Sequence, residues 1–416
     1  MSTRPDADRC PGVLRTYPAA DGALVRVRVP GGRLEAARLR RVLAAAAECG
    51  VPFVQLTSRA NLQFRGLSDP VPQHFLDAIT DAGMLPHPTH ERVRTIVASP
   101  WSVHERELGE FVAELDARLC ADPGLAALPG RFLVVVDDGT GDLLDLPYDV
   151  GYQRVDASAG RLLVAGRSVE VGREKAVGLL LDRAREFLRY RQGLDPAPWS
   201  IREVAPDAPV FAGLSPLPAA SSAECTGAGA ECTAPGAAQA DSAAHRPAGA
   251  RGADLVLTVP LGLLGREQVE VLAQVSPALV LTPWRQVVLP GAARRAEPAS
   301  QLARLESVGL VSRPGSGWDG VTACIGAPYC RRTSVDTHRI AREIATATAL
   351  PRAVRYPSDP VVSPGVGVPS SSARVHVSGC ERRCGAPTGP YQDVLAPGDV
   401  QEALEMLGGS AGATPH

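Results

Sequence analysis

The stretch Ala23-Leu24-Val25-Arg26-Val27-Arg28-Val29, which runs into Pro30-Gly31-Gly32, is the clearest local signal in the chain. Apolar and charged residues alternate in it with the two-residue period of a half-buried strand, and the proline and glycines then turn the chain. An alanine-rich helix is predicted over 34–48, and strands are predicted over 51–57 and 62–66, on either side of a polar corner. The pattern therefore predicts an α/β unit made of a strand, a helix and a strand pair.

This unit recurs in the second half of the chain. A strand is predicted over 254–260, a helix over 265–274 and a strand pair over 278–290, and the corner 57–61 is matched by the corner 282–286. Two later segments also correspond, 95–100 with 321–326 and 131–137 with 373–379. Such self-similarity indicates a duplicated unit with a pseudo-two-fold axis and a site where the halves meet. Chance likeness between two α/β segments is the alternative.

Composition and the repeat together predict the domain organisation. A segment rich in alanine, glycine, serine and proline separates the two copies and cannot bury enough apolar surface to order itself, so it is predicted to be a flexible linker. The predicted parts are a first half-domain at 12–70, an α/β lobe at 85–213, the linker at 214–252, a second half-domain at 253–312, a cysteine-containing lobe at 313–407 and a tail at 408–416.

The charge and cysteine content narrow the class of protein. The chain has 416 residues, a formal net charge of −2 and nine cysteines. Without blocks of like charge, neither a nucleic-acid nor a membrane-surface partner is expected. No apolar run is long enough to span a membrane, so a cytoplasmic protein is predicted. An odd number of cysteines in such a compartment favours metal ligation over a disulfide framework.

Four of the cysteines form two pairs, Cys324 with Cys330 and Cys380 with Cys384, on segments rich in glycine and proline. Iron–sulfur clusters need thiolates on loops that bend around the cluster and direct N–H groups at its sulfurs. Structural zinc usually uses pairs that are closer in sequence than Cys324 and Cys330. The spacing therefore predicts one [4Fe–4S] cluster; zinc and buried thiols remain the alternatives.

Arginine supplies nearly all of the positive charge, because the chain has a single lysine, Lys175. Arg26 and Arg28 are two residues apart on a strand and so share a face, while Arg59 and Arg65 flank the first corner. Such a face either meets water or lines an anionic pocket. A site beside the cluster, between duplicated halves, favours a pocket for a carboxylate-rich ligand.

These same residues carry a resemblance to the sulfite and nitrite reductase superfamily. It rests on 24–32, 57–63, the Cys324–Cys330 pair and His376-Val377-Ser378-Gly379-Cys380-Glu381-Arg382-Arg383-Cys384. The resemblance implies an α+β fold with two ferredoxin-like half-domains and cluster-binding lobes around a pseudo-two-fold axis, and a tetrapyrrole beside the cluster. In sirohaem members, the cysteine at the position of Cys384 bridges the cluster to the haem iron.

The resemblance also implies roles for polar residues of the first half. Arginines at the positions of Arg26 or Arg28 and of Arg59 meet anionic groups in the superfamily, and Arg28 and Arg59 are the candidate catalytic residues. The candidate substrate-binding residues are Arg26, Arg28, Arg59, Asn61, Gln63, Arg65 and Arg131.

Within the superfamily, the chain looks most like the precorrin-3B synthases, the oxygen-dependent enzymes of aerobic cobalamin biosynthesis. Sulfite-handling reductases place two lysines after a Leu-Pro signature, but Leu128-Pro129-Gly130-Arg131-Phe132-Leu133 contains none. The likeness implies hydroxylation of precorrin-3A at C20 with closure of a γ-lactone, using O2 and two electrons from a separate donor. The family is also associated with a non-haem iron, whose ligands this sequence does not identify; His338 and His376 are better explained as core or surface residues.

Two other functions stay open from the sequence. One is a nitrite or sulfite reductase that contains sirohaem and a [4Fe–4S] cluster. The other is a cluster protein that only transfers electrons or binds a tetrapyrrole. Sirohaem bands in a visible spectrum would distinguish the first from the synthase.

Overall fold

Two five-stranded antiparallel sheets, one for each copy of the repeat, form the middle of the molecule. The computed structural model describes residues 8–101, 104, 106–217, 247–294, 298–348, 374–387 and 390–409. Within these ranges, no helix is both long and apolar enough to cross a membrane.

The first repeat and the lobe that follows it supply the N-terminal half of the fold. The repeat consists of β1 (Tyr17–Ala19), β2 (Gly22–Val27), β3 (Arg33–Glu35), α1 (Ala36–Glu48), β4 (Phe53–Leu56), β5 (Leu62–Leu67) and α2 (Gln73–Asp81). The lobe consists of β6 (Ile96–Ala98), α3 (Arg106–Cys120), β7 (Val134–Asp137), β8 (Val150–Arg154), β9 (Ala159–Val164), β10 (Arg167–Gly172), α4 (Arg173–Arg191) and β11 (Ser215–Pro216).

The C-terminal half repeats this plan with a smaller lobe. The second repeat consists of β12 (Gly249–Arg251), β13 (Asp254–Thr258), β14 (Leu263–Gly265), α5 (Arg266–Val275), β15 (Ala278–Leu281), β16 (Gln286–Leu289) and α6 (Pro298–Ser307). The lobe consists of β17 (Val321–Ala323), α7 (Thr337–Thr348), β18 (Val375–Ser378), β19 (Gln392–Leu395) and α8 (Val400–Gly409).

Each repeat contributes one short strand to the sheet of the other repeat. The sheet orders are β1-β2-β5-β4-β14 and β12-β13-β16-β15-β3, so β14 pairs with β4 and β3 pairs with β15. Helices α1 and α5 pack against each other, and one apolar core runs through both repeats. Because the exchange is reciprocal, the halves are related by a pseudo-two-fold axis, as the sequence repeat predicts.

The exchanged strands correct the predicted helix starts. Residues 34 and 35 were expected in the first helix and Gly265 in the second, but these residues lie in β3 and β14. Leu34 pairs with Leu279 of the other repeat. A partner so distant in the chain overrides the local helical pattern, which sequence periodicity cannot anticipate.

The two lobes share a parallel core. In the first lobe, β6, β7 and β8 are parallel, and β9 to β11 extend the sheet; in the second, β17, β18 and β19 form a three-stranded parallel sheet. Ile96 pairs with Val134 as Val321 pairs with Val375. The predicted alignment of the lobes is therefore wrong by one residue. Strands that are buried on both faces are apolar at every position, so they lack the polar–apolar alternation that would show which residues of the two lobes correspond.

The segments predicted as linker and tail are only partly described. Residues 214–252 have strands at both ends, β11 and β12, while 218–246 lie outside the described residues. Helix α8 extends to Gly409, and 410–416 also lie outside.

Candidate functional site

The structure brings the two cysteine loops to one edge of the smaller parallel sheet. Cys324 directly follows β17, and Gly379-Cys380 directly follow its parallel neighbour β18. The Cys324 N–H donates to the Val377 carbonyl at 3.0 Å, which continues the ladder up to the loops. Adjacent parallel strands end at the same edge, and open α/β sheets bind ligands there.

Three of the paired cysteines act electrostatically on the fourth, Cys384. Exclusion of water raises the pKa of the Cys384 thiol, and Cys324, Cys380 and Cys330 raise it further, while Arg382 lowers it. Among the described residues, no three of the cysteine sulfurs lie within 4.8 Å of one another. The four-thiol donor set fits an iron–sulfur cluster.

The backbone around these thiols suits a cluster in two further respects. The Gly379 N–H donates to the Cys324 sulfur at 3.3 Å, which is the kind of contact that stabilises cluster sulfurs. Gly326 has φ of 59°, and a Cβ there would lie 2.3 Å from Oγ1 of Thr337. That hydroxyl donates to the Cys324 carbonyl at 2.7 Å. Glycine is therefore required for the first loop to fold back onto α7.

An arginine from each repeat holds one cysteine loop. Nη2 of Arg65, on β5, donates to the Tyr329 carbonyl at 3.0 Å, next to Cys330. Nη2 of Arg285, in the second corner, donates to the Gly385 carbonyl at 2.8 Å, next to Cys384.

A cavity of about 240 Å³ lies between the repeats and reaches the loop that follows Cys384. Its wall combines both corners, the turn between β13 and β14, and parts of both lobes. The lining residues are Ser58, Arg59, Leu133, Leu146, Pro147, Thr258, Val259, Pro260, Leu261, Gly262, Pro283, Trp284, Arg285, Trp318, Gly320, Val321, Thr322, Arg374, Gly385, Ala386 and Pro387.

The cavity wall consists mainly of apolar residues and includes three arginines. Arg59, Arg285 and Arg374 supply the basic groups, and Trp284 and Trp318 supply flat apolar surface. Burial lowers the pKa of Arg59, an effect that Asp149 opposes, and Nη1 of Arg59 donates to the Arg131 carbonyl at 2.7 Å. The wall is therefore suited to a flat anionic ligand.

Of the seven predicted substrate-binding residues, Arg59 lines this cavity, and the other six lie elsewhere. Arg26 donates to Oε1 of Gln63 at 2.6 Å, and burial lowers the pKa of Arg26 to about 10. Arg28 donates from Nε to Oγ1 of Thr95 at 2.9 Å; burial lowers its pKa to about 9, and its Nη1 has no hydrogen-bond partner among the described residues.

The remaining three make structural contacts. Oδ1 of Asn61 accepts from the Val29 N–H at 3.0 Å and so ties the corner to the end of β2. Arg65 forms a two-point ion pair with Asp21 besides its bond to the cysteine loop. Arg131 is exposed, with Nη1 at 3.9 Å from Oε1 of Glu203.

Two buried histidines lie near the cysteine loops. Burial lowers the pKa of His338 to about 4 and that of His376 to about 3, so both are neutral at pH 7. His376 shares a hydrogen bond with Oγ1 of Thr322 at 2.8 Å. The described residues contain no group of two histidines and a carboxylate close enough to bind one ion.

An acidic loop occupies the place in the first lobe that the cysteines occupy in the second. Asp137, Asp138 and Asp142 are buried, and their carboxylates lie within 4.8 Å of one another. Ser99, which follows β6 as Cys324 follows β17, donates to Asp142 at 2.7 Å. Burial, together with the charges of the two other aspartates, raises the pKa of Asp142 to about 8. A proton on Asp142 therefore relieves the repulsion within the loop at neutral pH.

Sequence reasoning missed this loop and several cavity residues. Asp137 ends the repeated segment 131–137, but nothing in that pattern indicated a buried acidic group. Arg285 and Trp284 were noted as part of the repeated corner, and only their equivalence to the first corner signalled that they face the same interface.

Comparisons with known proteins agree with this architecture. Residues 17–71 match the nitrite/sulfite reductase ferredoxin-like half domain. Among curated proteins, none matches the sequence significantly. The structure of the Mycobacterium tuberculosis NirA protein is similar with a TM-score of 0.62 and 16% sequence identity, over 87% of this chain and 69% of that one. The chain therefore has the duplicated α+β fold of the nitrite and sulfite reductases, as the sequence predicts.

Proposed function

We propose that this protein is an oxygen-dependent oxidoreductase that acts on a carboxylate-rich tetrapyrrole, hydroxylating precorrin-3A at C20 with γ-lactone formation to give precorrin-3B. One oxygen atom of O2 enters the product, and the other leaves as water with two electrons and two protons. The electrons come from a separate donor.

One observation carries the proposal, namely a cavity beside the cysteine loops whose basic groups are all arginines. Arg59, Arg285 and Arg374 line it, whereas Lys175, the single lysine, is exposed on α4. By the resemblance, reductases that handle sulfite use a pair of lysines at the reacting centre. This chain has arginines for binding carboxylates and no lysine pair for a small oxyanion.

The residues have distinct roles in this proposal. Cys324, Cys330, Cys380 and Cys384 hold a [4Fe–4S] cluster, which supplies electrons one at a time. Arg59 and Arg374 pair with acetate and propionate arms, and Trp284 lies against the macrocycle. Fixing several arms at once orients the reacting carbon, which lowers the entropic cost of the reaction.

A sirohaem-containing nitrite or sulfite reductase is the second candidate. The half-domain match at 17–71 and the similarity to NirA favour it. The same cavity would then hold the sirohaem as a resident group, and the arginines would bind its carboxylates.

An isotope experiment on anaerobically purified, cluster-loaded protein tests the proposal. The protein is incubated with precorrin-3A and a reductant under ¹⁸O2, ¹⁶O2 or argon, and the products are analysed by mass spectrometry. We expect one ¹⁸O atom in the product, no product under argon and no sirohaem in the purified protein. Turnover under argon, or sirohaem in stoichiometric amount, would overturn the synthase function.

Variants connect the activity to the cavity. Arg59→Ala should raise the KM for the tetrapyrrole and lower turnover while the iron content stays unchanged. Arg106→Ala removes an exposed arginine of α3 and serves as the matched control. Equal activity of both variants would contradict the assignment of this cavity as the substrate site.

A further inference from the structure

Arg285 occupies a position that the repeat makes directly comparable with one in the first half. It corresponds to Ala60, and both residues have left-handed backbones, with φ of 59° and 53°. The second corner therefore carries a long side chain at this left-handed position, whereas the first corner has alanine there. The second half is also the one that carries the four paired cysteines.

The neighbouring chain leaves room for this guanidinium. A Cβ on Gly262 would lie 2.7 Å from Cδ of Arg285, and a Cβ on Gly385 would lie 2.7 Å from its Nη2. Both glycines also have positive φ, 69° and 82°. Two glycines therefore shape a slot in which the Arg285 side chain lies between the cavity wall and the turn after Cys384.

The charge of Arg285 has no acidic partner among the described residues. The surrounding protein lowers the pKa of Arg285 to about 10, and no carboxylate opposes this effect. Arg65, which holds the other cysteine loop, differs because Asp21 pairs with it at 3.0 Å. Arg285 is half-buried at the cavity wall, so its charge is available to an anionic group that lies beside it.

We propose that Arg285 is the positioning and charge-balancing residue of the cluster, holding the Cys384 turn through the Gly385 carbonyl and offsetting the negative charge of the thiolate-bound cluster. The inference rests on the cluster of the proposed function. It separates the two loop arginines, because Arg65 is neutralised by Asp21 and acts mechanically, whereas Arg285 also acts through its charge.

The separation predicts that variants at the two arginines change the midpoint potential of the cluster by different amounts. Loss of a nearby positive charge disfavours the more negative reduced cluster, so Arg285→Gln should shift the midpoint potential to more negative values. Arg285→Lys keeps the charge and should restore most of the shift. The double variant Arg65→Gln/Asp21→Asn removes both charges of the Arg65 ion pair together and should change the potential less than Arg285→Gln.

The experiment uses the full-length protein, purified anaerobically, with iron and sulfide measured for each variant. The midpoint potential is obtained from a redox titration followed by the EPR signal of the reduced cluster, without substrate. A loaded Arg285→Gln protein with the wild-type potential and EPR signal would overturn the inference alone. If Arg285→Gln fails to load, the iron and sulfide content of Arg285→Lys decides: loading restored by the lysine charge supports the inference, and loading as poor as in Arg285→Gln contradicts it.

Two further outcomes are distinguishable. An unchanged potential with weaker binding of the tetrapyrrole would assign Arg285 to a substrate carboxylate instead and would contradict the proposal. Absence of iron and sulfide from the wild type would overturn the proposed function together with this inference.

Discussion

Replacement of Gly326 by alanine should abolish cluster binding with little change elsewhere in the fold. Gly326 has φ of 59°, and the new Cβ would lie 2.3 Å from Oγ1 of Thr337 and 2.8 Å from the Val335 carbonyl oxygen, whereas ordinary contact begins at 3.4 Å. The left-handed backbone costs about 1–2 kcal/mol for alanine. The overlap adds about 1–3 kcal/mol, as overpacking does in a tight core.

The same geometry shows why the cluster is affected first. Relief of the overlap moves the first cysteine loop or α7 by about 1 Å, which is several times the ~0.2 Å range within which metal–ligand distances must fall. Thr337 also donates to the Cys324 carbonyl, so the displacement reaches the first thiol directly. We therefore expect a large loss of iron and acid-labile sulfide per chain.

Gly309→Ala is the matched control for this experiment. Gly309 also has a left-handed backbone, with φ of 80°, but no atom lies within 4 Å of a Cβ placed there. It should cost only the backbone term of about 1–2 kcal/mol and retain the cluster. Iron, sulfide and the absorption spectrum are measured for both variants beside their thermal unfolding. Wild-type iron and sulfide in Gly326→Ala would refute the reasoning about this loop.

Three further predictions concern stability and chemistry. The pKa of Asp142 is raised from 3.8 to about 8 in the folded protein. The stability that the folded protein gains from protonated Asp142 is therefore fully present below pH 3.8 and is lost as the pH rises towards 8. The free energy of unfolding of Asp142→Asn, relative to that of the exposed-residue variant Asp145→Asn, should therefore rise between about pH 5 and pH 8 at up to about 1.4 kcal/mol per pH unit; a difference that does not change with pH would contradict the raised pKa. Leu264→Ala removes a fully buried side chain of an exchanged strand and should cost about 2–5 kcal/mol in denaturant unfolding; a cost as small as that of the exposed-site variant Leu194→Ala would argue against the strand exchange. Lys175→Gln should leave turnover unchanged, because this lysine is exposed on α4; a large loss in a steady-state assay would implicate lysine chemistry.

The sequence alone was sufficient for the duplication and for the elements of each repeat. Alternation over 23–29, the Pro-Gly turn and the repeated corner predicted two equivalent units, because these signals depend on residues close together in the chain. The two cysteine pairs also predicted a cluster-binding lobe, since loops rich in glycine and proline have few other uses for four thiols. The assignment of the seven polar residues to a substrate site remains a prediction.

Only the tertiary structure decided which side chains meet. The exchange of β3 and β14 depends on partners more than 200 positions away, so the local pattern places residues 34 and 35 at the start of a helix. The placement of Arg285 against the Cys384 turn, and of Arg65 against the Cys330 loop, likewise joins segments distant in sequence. Periodicity and spacing report the face on which a side chain lies, but the group that it contacts is fixed by the packing of whole elements around the pseudo-two-fold axis.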